Sequence, residues 1–192
     1  MERYWVWCIN RWLQSPPVHH QCAEQEHSKP KETVWERPVP TRFTNFDLNK
    51  ADGNVVEKVC EFTPDSMLHT LAIVGPQGTG KSRLMWRVVT LFFDLLHAAT
   101  GAKQWPNYYL FVDLVTEPER WVYQEIKKAR FVFVDDVGAT DCYGRDRVAL
   151  QDVIRYRVQK NLWTFLTIDD PKFDPNFTDL FRERALVAFV ST

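Results

Sequence analysis

The octapeptide Gly75-Pro76-Gln77-Gly78-Thr79-Gly80-Lys81-Ser82 lies between the apolar run Leu71-Ala72-Ile73-Val74 and a long stretch of helical periodicity, and it constrains this chain more than any other feature. Spaced glycines let the backbone curl so that successive N–H groups face inward, and a helix beginning at Lys81 adds its positive dipole end. That is a cradle for phosphate oxygens. The expected nucleotide-binding set is Gly75, Pro76, Gln77, Gly78, Thr79, Gly80, Lys81, Ser82 and Arg83, with Lys81 reaching the β- and γ-phosphates and Ser82 holding Mg²⁺.

The surrounding pattern supplies the strand and helix that such a loop needs. After Lys81 the apolar positions Leu84, Met85, Val88, Val89, Leu91, Phe92, Leu95 and Leu96 recur at helical spacing until Thr100-Gly101, a C-terminal stop. The alternation repeats: a strand over 108–112, a helix over 117–128, a strand over 131–134, a helix over 146–159, a strand over 163–167, a short helix over 178–184 and a last strand over 186–190. Repeated strand–helix units predict an α/β fold, a parallel sheet with helices on both faces, in which ligands bind at the carboxyl ends of the strands.

Two further groups fall at those strand ends, and a third lies on the short helix that follows them. Phe131-Val132-Phe133-Val134 delivers Asp135 and Asp136, the first expected to order Mg²⁺ and the second to orient the water that attacks a γ-phosphate. The interval from Lys81 to Asp135 leaves room for an intervening strand. The acidic strand need not then neighbour the strand before the loop, and the later segment Thr164-Phe165-Leu166-Thr167-Ile168-Asp169, inserted between the two in the sheet, would bring Thr167 or Asp169 to the γ-phosphate; an ordinary Asp-Asp-Pro turn would read the same way. Finally, Arg182 or Arg184 offers a guanidinium that a neighbouring subunit could direct at the transferring phosphoryl group, although arginines at a helix end are also ordinary surface residues.

Composition bounds the rest. With 192 residues, a formal charge of −1 and 45% hydrophobic residues, one domain with a short appendage is expected. No apolar stretch reaches the roughly 18 residues of a membrane span, and no apolar signal core follows Met1, so a cytoplasmic location without membrane contact is expected. The four cysteines, Cys8, Cys22, Cys60 and Cys142, form no Cys-x-x-Cys pair and read as reduced thiols. The spacing of Cys8, His19, His20 and Cys22 disfavours zinc. Near-neutral charge restricts any nucleic-acid contact to a local patch; in residues 145–160, Arg145, Arg147, Arg155, Arg157 and Lys160 stand against Asp146 and Asp152, which reads equally as such a patch or as an ordinary solvated helix face. Before residue 42 the chain is rich in proline and tryptophan and lacks periodicity, so residues 1–41 read as an arm and 42–192 as the folded domain.

With these features in order, residues from about Arg42 to Val190 resemble the AAA+ ATPases of the helicase-loader group, the DnaC-like loaders and IstB-like transposition ATPases. Thr41-Arg42-Phe43-Thr44-Asn45-Phe46-Asp47 is similar to their aromatic lead-in, Lys128-Ala129-Arg130 through Gly138-Ala139 to their Walker B segment, and Ile154-Arg155-Tyr156-Arg157 to the helix before their sensor strand. Where family members end that strand Thr-Ser-Asn, this chain reads Thr167-Ile168-Asp169, closer to DnaA-type initiators. Eight residues follow Arg184, too few for a C-terminal helical lid. The resemblance implies a three-layer AAA+ P-loop fold of the ASCE type, ATP and Mg²⁺ as cofactors, a homo-oligomer, single- or double-stranded DNA along it, and a helicase or transposase engaged through residues 1–41.

The leading functional expectation is therefore an Mg²⁺-dependent ATPase that assembles on DNA and loads or remodels a replication or transposition partner. A virus-type replication initiator or helicase, and a low-turnover nucleotide-binding scaffold, are the alternatives. A small-molecule kinase is disfavoured by the Thr-x-Asp strand and the absence of an arginine-rich lid.

Overall fold

Period-two alternation on the central strands divides the large side chains between two unlike faces of one sheet. The computed structural model describes residues 53–116, 120–138, 145–169, 181 and 183–190. Five strands, β1 (Thr70–Gly75), β2 (Asn107–Leu110), β3 (Phe131–Val137), β4 (Trp163–Asp169) and β5 (Leu186–Phe189), form a sheet in the order β2-β3-β4-β1-β5 with every neighbouring pair parallel. The described helices are α1 (Gly53–Cys60), α2 (Lys81–Thr100), α3 (Phe111–Thr116), α4 (Arg120–Lys128) and α5 (Arg145–Gln159). None is long and apolar enough to cross a membrane.

One face is aromatic. Phe131 and Phe133 of β3 and Trp163 and Phe165 of β4 meet α2, whose Phe92 lies 4.8 Å from Trp163 and 5.3 Å from Phe165, ring centre to ring centre, while Phe93 lies 4.9 Å from Phe131. Most of these pairs are edge-to-face, each contributing about 0.5–1.5 kcal/mol beyond area burial. The opposite face is largely aliphatic: Ala72, Val132, Val134, Leu166 and Ile168 pack against Tyr123 and Ile126 of α4 and Leu150, Val153, Ile154 and Val158 of α5. Helices thus cover both faces of a parallel sheet, as the alternation predicts.

Burial on the aliphatic face includes one cation. Arg157 is fully buried; its guanidinium donates to the carbonyls of Ile126, Ala129 and Trp163 and to Thr164 Oγ1. Burial pulls it below the ordinary guanidinium range to about 10, with Tyr109 opposing the shift, so it stays protonated at neutral pH. It ties the end of α4 to the start of β4. Arg157 is therefore unavailable to the basic patch read from the sequence.

Boundaries differ from expectation where packing overrides pattern. β2 ends at Leu110 rather than at residue 112, because Phe111 and Leu114, three apart on α3, bury in the aliphatic core. β3 and β4 run on through their acidic residues, to Val137 and Asp169. The helix α1 has no counterpart in the sequence reading, whereas α2 ends where expected, with Gly101 at φ 70° donating its N–H to His97 O at 2.7 Å. Residues 117–119 and most of the expected 178–184 helix lie outside the described residues; Phe181, Glu183 and Arg184 are helical.

Candidate functional site

Strand parity carries the polar residues to one place. Asp135 follows Phe131 and Phe133, and Thr167 and Asp169 follow Trp163 and Phe165, so all three emerge on the aromatic face at the carboxyl ends of their strands, beside the start of α2. β4 lies between β3 and β1, the intervening position expected for the Thr167–Asp169 strand.

The loop from Gly75 to Lys81 joins β1 to α2. Gly78 and Gly80 have φ of 84° and 86°, the left-handed region where a side chain is strained. Gly75 is required for another reason: a Cβ there would sit 2.4 Å from Val190 O, just past the end of β5. Thr79 Oγ1 and Lys81 Nζ both donate to Pro76 O at 2.8 Å, which closes the loop on itself. Gly80 is the N-cap of α2 and has no capping side chain, so first-turn backbone N–H groups remain for an anion. Pro76, Gln77 and Gly78 are exposed at the loop tip; Ser82 is half-buried in the first turn and Arg83 is exposed.

Lys81 is buried, and its Nζ lies 2.7 Å from Asp169 Oδ1. The pairing Gly75↔Asp169 between β1 and β4 makes this contact possible by bringing the carboxylate level with the loop. The two groups are at ion-pair distance without the angle of a directed hydrogen bond.

The acidic pair is divided by a bulge. Register shifts between Val134 and Val137, and Asp136 adopts φ 59°, a left-handed conformation that Asp tolerates better than most residues. The extra residue returns Val137 to the aliphatic face, leaving Asp135 fully buried and Asp136 half-buried. Asp135 accepts through both oxygens: Thr167 Oγ1 donates to Oδ1 at 2.5 Å, and Tyr108 Oη to Oδ2 at 3.0 Å. The Thr167 hydroxyl in turn accepts from the Asp136 backbone N–H at 2.8 Å. With both roles used, Thr167 braces the acidic strand, and Asp169 is the polar group of β4 that meets Lys81.

The site suits its expected ligands on donor chemistry. Ser82 and Asp135 offer the oxygen donors that a hard Mg²⁺ takes, and each Asp135 oxygen keeps lone-pair capacity after accepting one proton. The positive-φ glycines and the Lys81 ammonium suit phosphate oxygens.

Arg184 lies at the other end of the molecule's strands. It precedes β5, whose Leu186 pairs with Leu71 near the start of β1, so the whole of β1 separates it from the loop of its own chain. It is exposed, donates weakly to Gln159 O at 3.4 Å, and borders a groove of about 360 Å³ with Met67, Leu68, Val158, Asn161 and Glu183. Arg182, the arm over 1–41 with Cys8, His19, His20 and Cys22, and the lead-in 41–47 lie outside the described residues, as do the side chains of Arg145 and Arg147.

Solved structures share this arrangement of strands and helices. The DnaC helicase loader superposes with a TM-score of 0.52 at 16% identity, over 71% of this chain and 86% of that one. DnaI gives 0.53 at 18%, over 79% and 94%. The replication initiator DnaA bound to AMPPCP and single-stranded DNA gives 0.53 at 16%, over 78% of this chain and 49% of that one. The fold is the AAA+ P-loop core. At these identities the likeness extends to the fold alone. No family model matches the sequence, and neither does any curated protein.

Sequence reasoning missed Tyr108 and the burial of Arg157. Tyr108 bears no local mark; only the pairing of Tyr108 with Phe133 across β2 and β3 brings its hydroxyl toward Asp135. A signal for Arg157 was present, since Ile154 and Val158 flank it at helical spacing on the inward face of α5.

Proposed function

We propose that this chain is an Mg²⁺-dependent ATPase that assembles with copies of itself on DNA and loads or remodels a replication or transposition partner. The observation that carries the reading is the convergence of Lys81, Asp169, Thr167, Asp135 and Asp136 at the carboxyl ends of β1, β4 and β3 in the AAA+ strand order.

The division of labour follows from burial and bonding. Backbone N–H groups from Gly75 to Arg83 cradle the phosphates, and Lys81 neutralises the β- and γ-oxygens. Ser82 and Asp135 hold Mg²⁺, which when bound offsets charge on the transferring phosphoryl group. Half-buried Asp136 can meet a water and accept its proton, a task its fully buried neighbour is less suited to. Asp169 reports on the γ-phosphate through Lys81, and Arg182 or Arg184 reaches the site of an adjoining subunit. DnaA's structure with single-stranded DNA supports the DNA contact by analogy of fold, and the DnaC helicase loader supports the delivery of a partner. On this reading residues 42–192 form the ATPase domain, and residues 1–41 choose the partner.

The test is ATP hydrolysis by the purified protein with and without single-stranded DNA, with mass followed by light scattering in the same buffers. Turnover that rises with DNA and with assembly is expected. Absence of ATP binding refutes the reading, and tight binding by a monomer without turnover under any condition replaces it with a nucleotide-dependent scaffold.

A further inference from the structure

We propose that Tyr108 is a positioning residue for Asp135, the third strand's contribution to a carboxylate clamp that fixes how the site takes its divalent cation. The inference rests on the nucleotide-binding reading above and adds a residue that no motif marks.

Asp135 is fully buried at the end of β3, where a carboxylate needs partners for both oxygens. Thr167 from β4 fills one side and Tyr108 from β2 the other, so hydroxyls from the two flanking strands hold the carboxylate plane between them. A carboxylate accepts only, which fixes both protons as pointing at Asp135. The tyrosine is itself held: its ring lies 5.0 Å from Trp86 of α2 and 5.2 Å from Phe133 of β3, centre to centre. Trp86 and Phe133 are themselves buried and 5.1 Å apart, so the phenol belongs to the packed aromatic face. Removing the hydroxyl while keeping the ring leaves that packing in place and frees Asp135 Oδ2 to turn about its side-chain bonds. Cation binding through this oxygen pair then loses its preset direction, whereas phosphate binding through the loop backbone and Lys81 does not depend on it.

Tyr109 supplies an internal control. It is the adjacent residue on the same strand, and its hydroxyl accepts from Asn107 Nδ2 at 3.4 Å rather than facing the acidic pair.

The experiment titrates Mg²⁺ against binding of a fluorescent ATP analogue in the wild type, Tyr108→Phe and Tyr109→Phe, with a parallel titration in EDTA and a thermal melt of each protein. For Tyr108→Phe the half-saturating Mg²⁺ concentration is expected to rise at least threefold, with affinity in EDTA and the melting midpoint near wild type; Tyr109→Phe should titrate like wild type. An unchanged Mg²⁺ requirement in Tyr108→Phe overturns the inference while leaving the nucleotide site intact. An equal rise in both variants also overturns it, because the effect would then be general to β2. A wild type that binds no analogue at any Mg²⁺ concentration overturns the functional reading and this inference with it.

Discussion

Asp169 Oδ1 stands 2.7 Å from Lys81 Nζ, in a pair whose side chains are only 11% and 3% exposed. A nucleotide phosphate placed in the loop must compete with this carboxylate for the same ammonium, and Asp169 repels it as well. Replacing Asp169 by Asn removes the competitor and leaves Lys81 buried without its counter-ion, a loss that typically costs about 3–5 kcal/mol. Asp169→Asn should therefore melt at a lower temperature without nucleotide, bind ATP about tenfold more tightly, and regain much of its midpoint when ATP is added. A weaker ATP affinity in a fluorescence titration would mean that the carboxylate helps hold the nucleotide.

Binding and turnover should separate at Lys81 and Asp136. Lys81→Ala removes the ammonium and should abolish productive nucleotide binding. Asp136→Asn keeps the bulge and its backbone N–H bond to Thr167 but loses the base. General-base contributions are about 10²–10⁴-fold, so kcat should fall by that order while ATP affinity stays within a few-fold of wild type. Equal turnover in Asp136→Asn and wild type would remove Asp136 from the mechanism.

Arg157 should matter for stability and leave DNA contact unaffected. Arg157→Met keeps the apolar stem but leaves the carbonyls of Ile126, Ala129 and Trp163 without their donor, at a cost of about 3 kcal/mol or more. In a chain of this size that lowers the melting midpoint by roughly 6–12 °C. Affinity for single-stranded DNA, measured below that temperature, should be unchanged. Surface Arg155, which pairs with Asp152 at 3.4 Å, is the residue of that helix turn whose loss can weaken a phosphate contact. A selective loss of DNA binding in Arg157→Met, with the midpoint intact, would reverse this assignment.

The loop and the ends of β3 and β4 were legible because their chemistry is local: glycines at fixed spacing, apolar runs ending in acid. Strand order was legible only as an implication of the room between Lys81 and Asp135. Tyr108 was not, because its role depends on β2 lying beside β3, and the bulge at Asp135-Asp136 was hidden because alternation alone sends adjacent acids to opposite faces. Arg157 misled because a basic residue among basic residues reads as surface, although its helical neighbours Ile154 and Val158 face the core. At β2 an apolar run over Leu110, Phe111 and Val112 looked like a continuing strand; burial of Phe111 together with Leu114 is helical spacing, and three-dimensional packing decided between the two.

The position of Arg184 separates action within one chain from action between chains. The whole of β1 lies between Arg184 and its own Lys81, a span no arginine side chain bridges, so a role in phosphoryl transfer requires a second subunit whose loop meets the Arg184 end of the first. Arg184→Ala should then leave ATP binding unchanged and lower turnover in the assembled protein by about 10³-fold, the smaller end of what arginines supplied in trans contribute. Neither Arg184→Ala nor Lys81→Ala should turn over alone. Mixed, they create interfaces in which an intact Lys81 site faces an intact Arg184, and activity should return, peaking near equal proportions. Arg182→Ala in the same mixing series tells the two arginines apart. If no ratio of Arg184→Ala to Lys81→Ala recovers activity while an Arg182→Ala mixture does, the finger is Arg182; if neither mixture recovers it, hydrolysis does not run through a shared interface.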